Sequence, residues 1–346
     1  MDDGNRWLIT IAALVVVVAG LQAAADILVP MLLSVFIAII CWPMVDWLYR
    51  HKVPAWLAIL IVVMGLLVLM TLVGVFVGKS IDNFVGNLPY YQTRLQANTA
   101  GMLVWLTEIG FEFSREQVGA YLNAGRLMQF AGTMLTTLTG AFANTALILF
   151  YITFMFLEAF ILPAKLRTII GDSSMAARFE MFFVNLRRYL RLKTLISLGT
   201  GVAVVLWLLI LGVDYPILWG AVAFVLNFIP NIGSFIAGIP AVLLALVQLG
   251  LGGAIYTALG YVGINTVIGG LIDPRVVGKG LGLSTLVVFV SLIFWGWVLG
   301  PVGMFLSVPI TIICKMFLED NPRTIWIAVL LGPPREIDPP VQKQEK

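Results

Sequence analysis

The amino-acid sequence predicts an all-α, polytopic integral membrane protein with about eight hydrophobic helical segments, two of them broken or re-entrant hairpins. Composition is the first reason: of 346 residues, 60% are apolar and 11% charged, where a soluble domain carries about 25% charged residues. Such a surface cannot be kept in water, and the mean hydropathy of +1.01 agrees. The second reason is the recurrence of uncharged runs near the ~20 residues that cross ~30 Å of hydrocarbon as a helix. The third is that the two longest uncharged runs contain proline and glycine at positions a continuous helix does not accept.

The first run, Trp7 to Ala25, holds 19 residues without a charge. Ala23-Ala24-Ala25 has the small residues of a signal-peptidase site, but the flank with Asp2, Asp3 and Arg6 is not clearly basic, so an uncleaved anchor is expected. Ile27 to Val45 is a second span after a turn at Asp26, and Arg50, His51 and Lys52 follow it. Val53 to Gly78 is the third, completing an opening unit over residues 1–78. Charges of both signs return over residues 79–126, the one sizeable extramembrane insertion; Ser114 to Gln117 reads as a capping box, and Leu103, Leu106, Ile109 and Phe113 fall near helical spacing. This insertion is expected to form amphipathic helices on the membrane or against a neighbouring subunit, a plain connecting loop being the alternative. Residues 127–157 form the fourth span.

Orientation comes from the next segment. Residues 158–193 carry seven basic residues, Lys165, Arg167, Arg178, Arg187, Arg188, Arg191 and Lys193, against Glu158, Asp172 and Glu180. The positive-inside rule places it in the cytoplasm, which puts the N-terminus and the Arg50 to Lys52 loop inside and the insertion outside. A fifth span, Thr194 to Val213, then delivers Asp214 to the outer side.

The remaining core, to residue 314, is irregular. Residues 215–272 hold 58 positions without a charge, interrupted at Asn227 to Gly233 and by glycines 250, 252 and 253; residues 280–314 hold 35 more, interrupted at Gly300 to Gly303. Asp273-Pro274-Arg275 and Lys279 lie between them, expected on the cytoplasmic side with the tail over 315–346. Parity then permits two arrangements. In one, residues 215–249 dip in from outside and return, 254–272 cross, and 281–314 dip in from inside; in the other every arm crosses, giving nine or ten spans. Arms of 13 to 18 residues are short for crossing, which favours the hairpins.

Catalytic constellations come up nearly empty. The one histidine, His51, has no second ligand or triad partner in a basic loop. Cys41 and Cys314 lie in separate apolar runs and build neither a disulfide framework nor a zinc site. Gly278-Lys279 lacks the Ser or Thr and the upstream glycine spacing of a phosphate loop, and Gly278-x-Gly280-x-Gly282 lacks a dinucleotide fingerprint. An enzyme, a cofactor and a metal are therefore not expected, and the scattered basic residues offer no nucleic-acid face.

Transport fits better, because irregular backbone at membrane depth survives only where protein or a water-filled cavity covers it, and broken helices aim their free N–H and C=O ends at a solute. The candidate pathway residues are Asn227, Asn231, Gly233, Ser234, Asn265, Thr266, Ser284 and Thr285, whose polar side chains are neutral donors and acceptors. They suit a small uncharged polar solute; alternatively they only satisfy broken backbone or tie helices together. Pro230, Asp273, Pro274, Arg275, Gly300 and Pro301 are the candidate gate and hinge positions, the charged turn reading equally as a solvated connection.

Four strings in order, Asn227-Phe-Ile-Pro-Asn-Ile-Gly-Ser234, Asp273-Pro-Arg275, Gly278-Lys-Gly-Leu-Gly-Leu-Ser284 and Phe294-Trp-Gly-Trp-Val-Leu-Gly-Pro-Val-Gly-Met304, resemble the autoinducer-2 exporter family over nearly the whole chain. The resemblance implies an oligomeric permease of a bacterial inner membrane that exports the quorum-sensing signal autoinducer-2, a small polyhydroxylated molecule, by alternating access. Because some members resemble cation/proton antiporters in activity, a sodium or lithium/proton antiporter is the rival reading, with a non-transporting scaffold third. An antiporter needs a titrating carboxylate at membrane depth, whereas Asp26, Glu158, Asp214 and Asp273 all fall at expected span ends.

Overall fold

The computed structural model describes residues 3–91, 93–94, 132–133, 144–170, 174–230, 232–272, 283–319 and 324–332. The body of the outer insertion with its capping box, Asn231, the Asp273-Pro274-Arg275 turn and the C-terminal tail beyond 332 lie outside the described residues. Among those described there is no strand, and six helical stretches are long and apolar enough to cross a membrane. The chain is a polytopic all-α membrane protein. It divides into two compact units, one of residues 30–277 and one joining residues 1–29 to 278–346.

In the larger unit, α2 (Ala25–Arg50), α3 (Ala55–Gly86) and α4 (Thr145–Ile170) share an apolar core built from Ala38, Cys41 and Val45 on α2, Ala58, Ile59 and Val62 on α3, and Ile148, Ile152 and Phe156 on α4. The Ser34 hydroxyl lies within hydrogen-bonding reach of two carbonyls, Pro30 O on its own helix (2.6 Å) and Ile148 O on α4 (3.2 Å). Much of the remaining large apolar surface, Leu60, Leu69 and Phe150 for example, faces outward. A soluble protein would bury it; in a bilayer it is the lipid-facing surface.

α5 (Ser174–Leu211) is continuous through what the sequence divides into a basic segment and a span. Lys193, expected among solvated charges, is therefore carried onto a packed helix face and buried. Arg187, from the same stretch, sits 5.7 Å over the Trp42 ring of α2. α5 meets α6 (Pro216–Leu226) at backbone distance: a Cβ on Gly201 would come within 2.8 Å of the Gly220 carbonyl oxygen. Only glycine at both positions allows this close crossing.

The first hairpin follows. α6 ends at Leu226, the chain turns at 227–230, and α7 (Gly233–Asn265) runs back before bending sharply at Gly250, where φ is 75° and ψ −167°. This backbone region is essentially restricted to glycine. The two arms of α7 lie antiparallel, since Ser234 meets Asn265 and Gly238 meets Tyr261, pairs symmetric about the bend. A π-helical segment, Thr266–Ile272, continues the second arm.

The smaller unit repeats the device. α8 (Thr285–Glu319) bends at Gly300 with φ 70° and ψ −157°, followed directly by Pro301. Trp295 Nε1 donates to Thr311 Oγ1 at 3.0 Å across the bend, although residues so spaced would be about 24 Å apart in a straight helix. Both bends occupy the same sequence pattern, Leu-Gly-x-x-Gly, at 249–253 and 299–303. α1 (Asp3–Ala23) packs on α8, and the short α9 (Ile325–Leu331) closes against the start of α8, its Leu331 carbonyl accepting from Ser284 N–H at 3.0 Å.

Candidate functional site

The site is built around the turn between α6 and α7. Its depth follows from the mouth of the hairpin, where Asp214 and Gln248 join: the Asp214 N–H donates to Gln248 Oε1 at 3.0 Å, and Gln248 Nε2 donates to Asp214 Oδ2. From Gln248 down to Ser234 is a drop of about 21 Å at 1.5 Å per residue, roughly two thirds of a ~30 Å hydrocarbon core. Residues 215–249 therefore form a hairpin whose two ends meet at Asp214 and Gln248 and whose turn lies about 21 Å away along the α7 arm.

Around the turn two polar pairs are formed. Asn227 Nδ2 donates to Ser197 Oγ of α5 at 3.0 Å, and Asn227 is buried. Ser234 Oγ donates to Asn265 Oδ1 at 2.7 Å, joining the first turn of one arm to the last residue of the other. Gly233 is compelled by the turn: a Cβ there would overlap the Leu226 carbonyl oxygen. Pro230 lies in the turn itself, and Phe228 packs edge-on against Phe36 of α2 at 5.7 Å between centroids. A neighbouring amide, Asn265, thus meets a serine 31 residues away only because the hairpin folds about Gly250.

Other candidate residues are placed differently. Thr266 follows Asn265 but is exposed, on the π-helical segment. Ser284 sits just before α8, where its hydroxyl accepts from Val287 N–H at 3.3 Å, an N-terminal cap. Thr285 is exposed, and Gly300 and Pro301 form the bend of the smaller unit.

The mouth holds residues the sequence did not single out. Tyr91 donates to Asp214 Oδ2 at 3.4 Å, Asn87 Nδ2 donates to the Tyr215 hydroxyl at 3.1 Å, and Trp219 Nε1 donates to the Asp214 carbonyl at 3.1 Å. Phe84 is buried in the middle of this ring, 5.8 Å from Tyr91, 6.2 Å from Tyr215 and 5.7 Å from Trp219. Burial, then the hydrogen bond and charge of Tyr215 and the nearby Asp214, push the Tyr91 phenol well above its ordinary value. It stays a donor at any physiological pH. The signal for this ring was available only as aromatic residues scattered over three span ends.

Among the described residues no Asp or Glu is buried, and no group of three or more His, Cys, Asp and Glu could hold a metal ion. Glu158 is exposed and paired with Lys165 at 2.7 Å. The polar groups brought together around the turn are amides and hydroxyls, which bind by donating and accepting hydrogen bonds to neutral groups.

A polytopic helical bundle whose long apolar helices break around such groups is an architecture that membrane transporters use. Residues 11–323 match the AI-2E family transporter family, and the chain belongs to it. It is 39% identical over 332 residues to the AI-2 transport protein TqsA of Escherichia coli, covering 95% of this chain and 96% of the relative. It is also 39% identical over 336 residues to a Haemophilus influenzae protein whose name assigns it to transport without a substrate, covering 95% and 96%. A third relative, Escherichia coli YhhT, also named for transport alone, is 37% identical over 334 residues, covering 96% and 95%.

Proposed function

We propose that this transporter exports a small neutral, hydroxyl-rich solute, autoinducer-2 in the first instance, across a bacterial inner membrane. The observation that carries the reading is the Ser234–Asn265 pair, two neutral polar side chains joined at 2.7 Å across the arms of a hairpin at membrane depth. An amide and a hydroxyl offer donors and acceptors without net charge, so they replace the hydration of hydroxyl groups without demanding a counter-ion. The name of the TqsA relative supplies autoinducer-2 as the particular solute.

In this reading transport proceeds by alternating access. The glycine bends at 250 and 300 act as hinges, and parting of the α7 arms breaks the Ser234–Asn265 bond and exposes its groups to solute. With the basic residues of 158–193 held in the cytoplasm, both termini lie inside and the Asp214 mouth faces out.

The test is flux in proteoliposomes containing the purified protein, with labelled autoinducer-2 in one arm and sodium- or lithium-driven proton movement, followed by a pH dye, in the other. Saturable autoinducer-2 flux without cation-driven pH change is expected. Cation-driven proton movement with no autoinducer-2 flux would overturn the reading.

A further inference from the structure

Serines and threonines in these helices satisfy their hydroxyls on their own backbone as a rule. Ser34, Ser80, Thr153, Thr194 and Thr200 each donate to the carbonyl four residues back, at 2.6 to 3.0 Å, and Ser291 and Ser307 to the carbonyl three back. Thr257 does not. It is fully buried on the second arm of α7 at 0% exposure, and its Oγ1 has no hydrogen-bond partner in the protein. One turn on, Tyr261 is 8% exposed and its phenol oxygen is likewise without a partner.

Such groups are costly: a buried hydroxyl that has left water without a partner forfeits about 1–3 kcal/mol. Thr257 could avoid that cost by bonding the Gly253 carbonyl, as its counterparts do. It makes no such bond. Tyr261 is placed by Gly238 on the opposite arm, where a Cβ would sit 3.0 Å from the ring Cδ1. A helical aromatic side chain leans toward the N-terminal turn, here the turn of Thr257.

Thr257, Tyr261 and Asn265 recur every four residues and so share one face of the second arm. The first arm offers small residues there, Ser234, Gly238, Ala241 and Ala245, all buried. One polar stripe therefore runs from the half-buried Ser234–Asn265 pair to the buried Tyr261 and Thr257, toward the bend.

We infer that the Thr257 and Tyr261 hydroxyls are a second solute-binding station between the arms of α7, taking hydroxyl groups of a neutral polyol. Each hydroxyl both donates and accepts, the pattern a diol requires, and a charged solute would find no counter-charge among these three side chains. The inference rests on the transport reading and extends its path from the turn toward the mouth.

Two measurements separate the inference from that reading. In proteoliposomes, Thr257→Val and Tyr261→Phe remove a hydroxyl at nearly constant shape. Each is expected to raise the KM for autoinducer-2 about tenfold, the value of one hydrogen bond of about 1.4 kcal/mol. Thr257→Ser should restore the wild-type KM, and the control Thr153→Val should leave it alone. An unchanged KM in both hydroxyl variants, in a protein that transports autoinducer-2, overturns the inference and leaves the transport reading standing. Independently, Thr257→Cys in a chain with Cys41→Ala and Cys314→Ala should react with methyl methanethiosulfonate from water, and autoinducer-2 should protect it. Failure to react overturns the inference whatever the solute; reaction without protection, in a protein that moves autoinducer-2, assigns the pair to water alone and also overturns it. If the wild type moves no autoinducer-2, the transport reading fails and the reactivity of Thr257→Cys alone decides the inference.

Discussion

Asp214 and Gln248, 34 residues apart, hold each other by two hydrogen bonds, one through the Asp214 backbone N–H and one through its carboxylate. This grip ties the chain just after α5 to the end of the first α7 arm and closes the mouth of the hairpin. Asp214 is exposed, so solvent screens these bonds and each contributes about 0.5–1 kcal/mol. Gln248→Ala should therefore lower the thermal midpoint of the detergent-solubilised protein. Gln248→Glu should lower it further at neutral pH by setting a second carboxylate against Asp214. Equal midpoints for wild type and both variants would show that the mouth is held by other contacts.

Gly250 carries the sharpest backbone requirement in the larger unit, with φ 75° and ψ −167°. An alanine there should cost about 1–3 kcal/mol and reduce flux, because the bend sets the register of both arms. Gly252→Ala, two residues on, meets nothing within 4 Å and should be close to neutral. The contrast is read by thermal unfolding and flux on both variants; similar losses in both would remove Gly250 from its role.

The Ser234–Asn265 bond should show as coupling. Ser234→Ala leaves the half-buried Asn265 amide and Asn265→Ala the buried Ser234 hydroxyl without its partner, so the double variant should be less destabilised than the sum of the two, by about 1 kcal/mol. Both single variants should reach the membrane in normal amount and transport more slowly. Additive stability losses would mean that the two side chains act separately.

Tyr91 gives a pH dependence of known sign. Its folded value lies above the unfolded value of about 10, so the neutral phenol is favoured by folding. That contribution is complete below about pH 10 and is lost as pH rises above it. Thermal midpoints measured from pH 7 to 11 should fall more steeply at the alkaline end for wild type than for Tyr91→Phe. Parallel curves would contradict the assignment.

Much of this architecture is legible in residue order. The uncharged runs at 215–272 and 280–314 mark the two irregular regions, and prolines and glycines mark where each gives way. Which glycine bends is not legible: 250, 252 and 253 are equivalent as letters, and only packing of the two arms selects Gly250. Partnerships are hidden for the same reason. Asn265 and Ser234 meet through hairpin register, which no local pattern encodes. Ser284 has the chemistry of a pathway residue, yet the helix that begins beside it takes its hydroxyl as a cap. Lys193 counts toward a basic segment in sequence, but α5 runs through without a break and turns it inward. Thr257 and Tyr261 look like ordinary residues of an apolar helix until each is seen to lack a partner.

In the transport reading proposed above, solute passes where the arms of α7 part. Cysteines at both ends of the latch, Ser234→Cys with Asn265→Cys in a chain free of Cys41 and Cys314, can be bridged in proteoliposomes by a short bis-methanethiosulfonate, which joins them through two reducible disulfides. Autoinducer-2 flux should fall to background when the bridge is made and recover when a reductant releases it. Wild-type flux through the bridged protein would contradict the account.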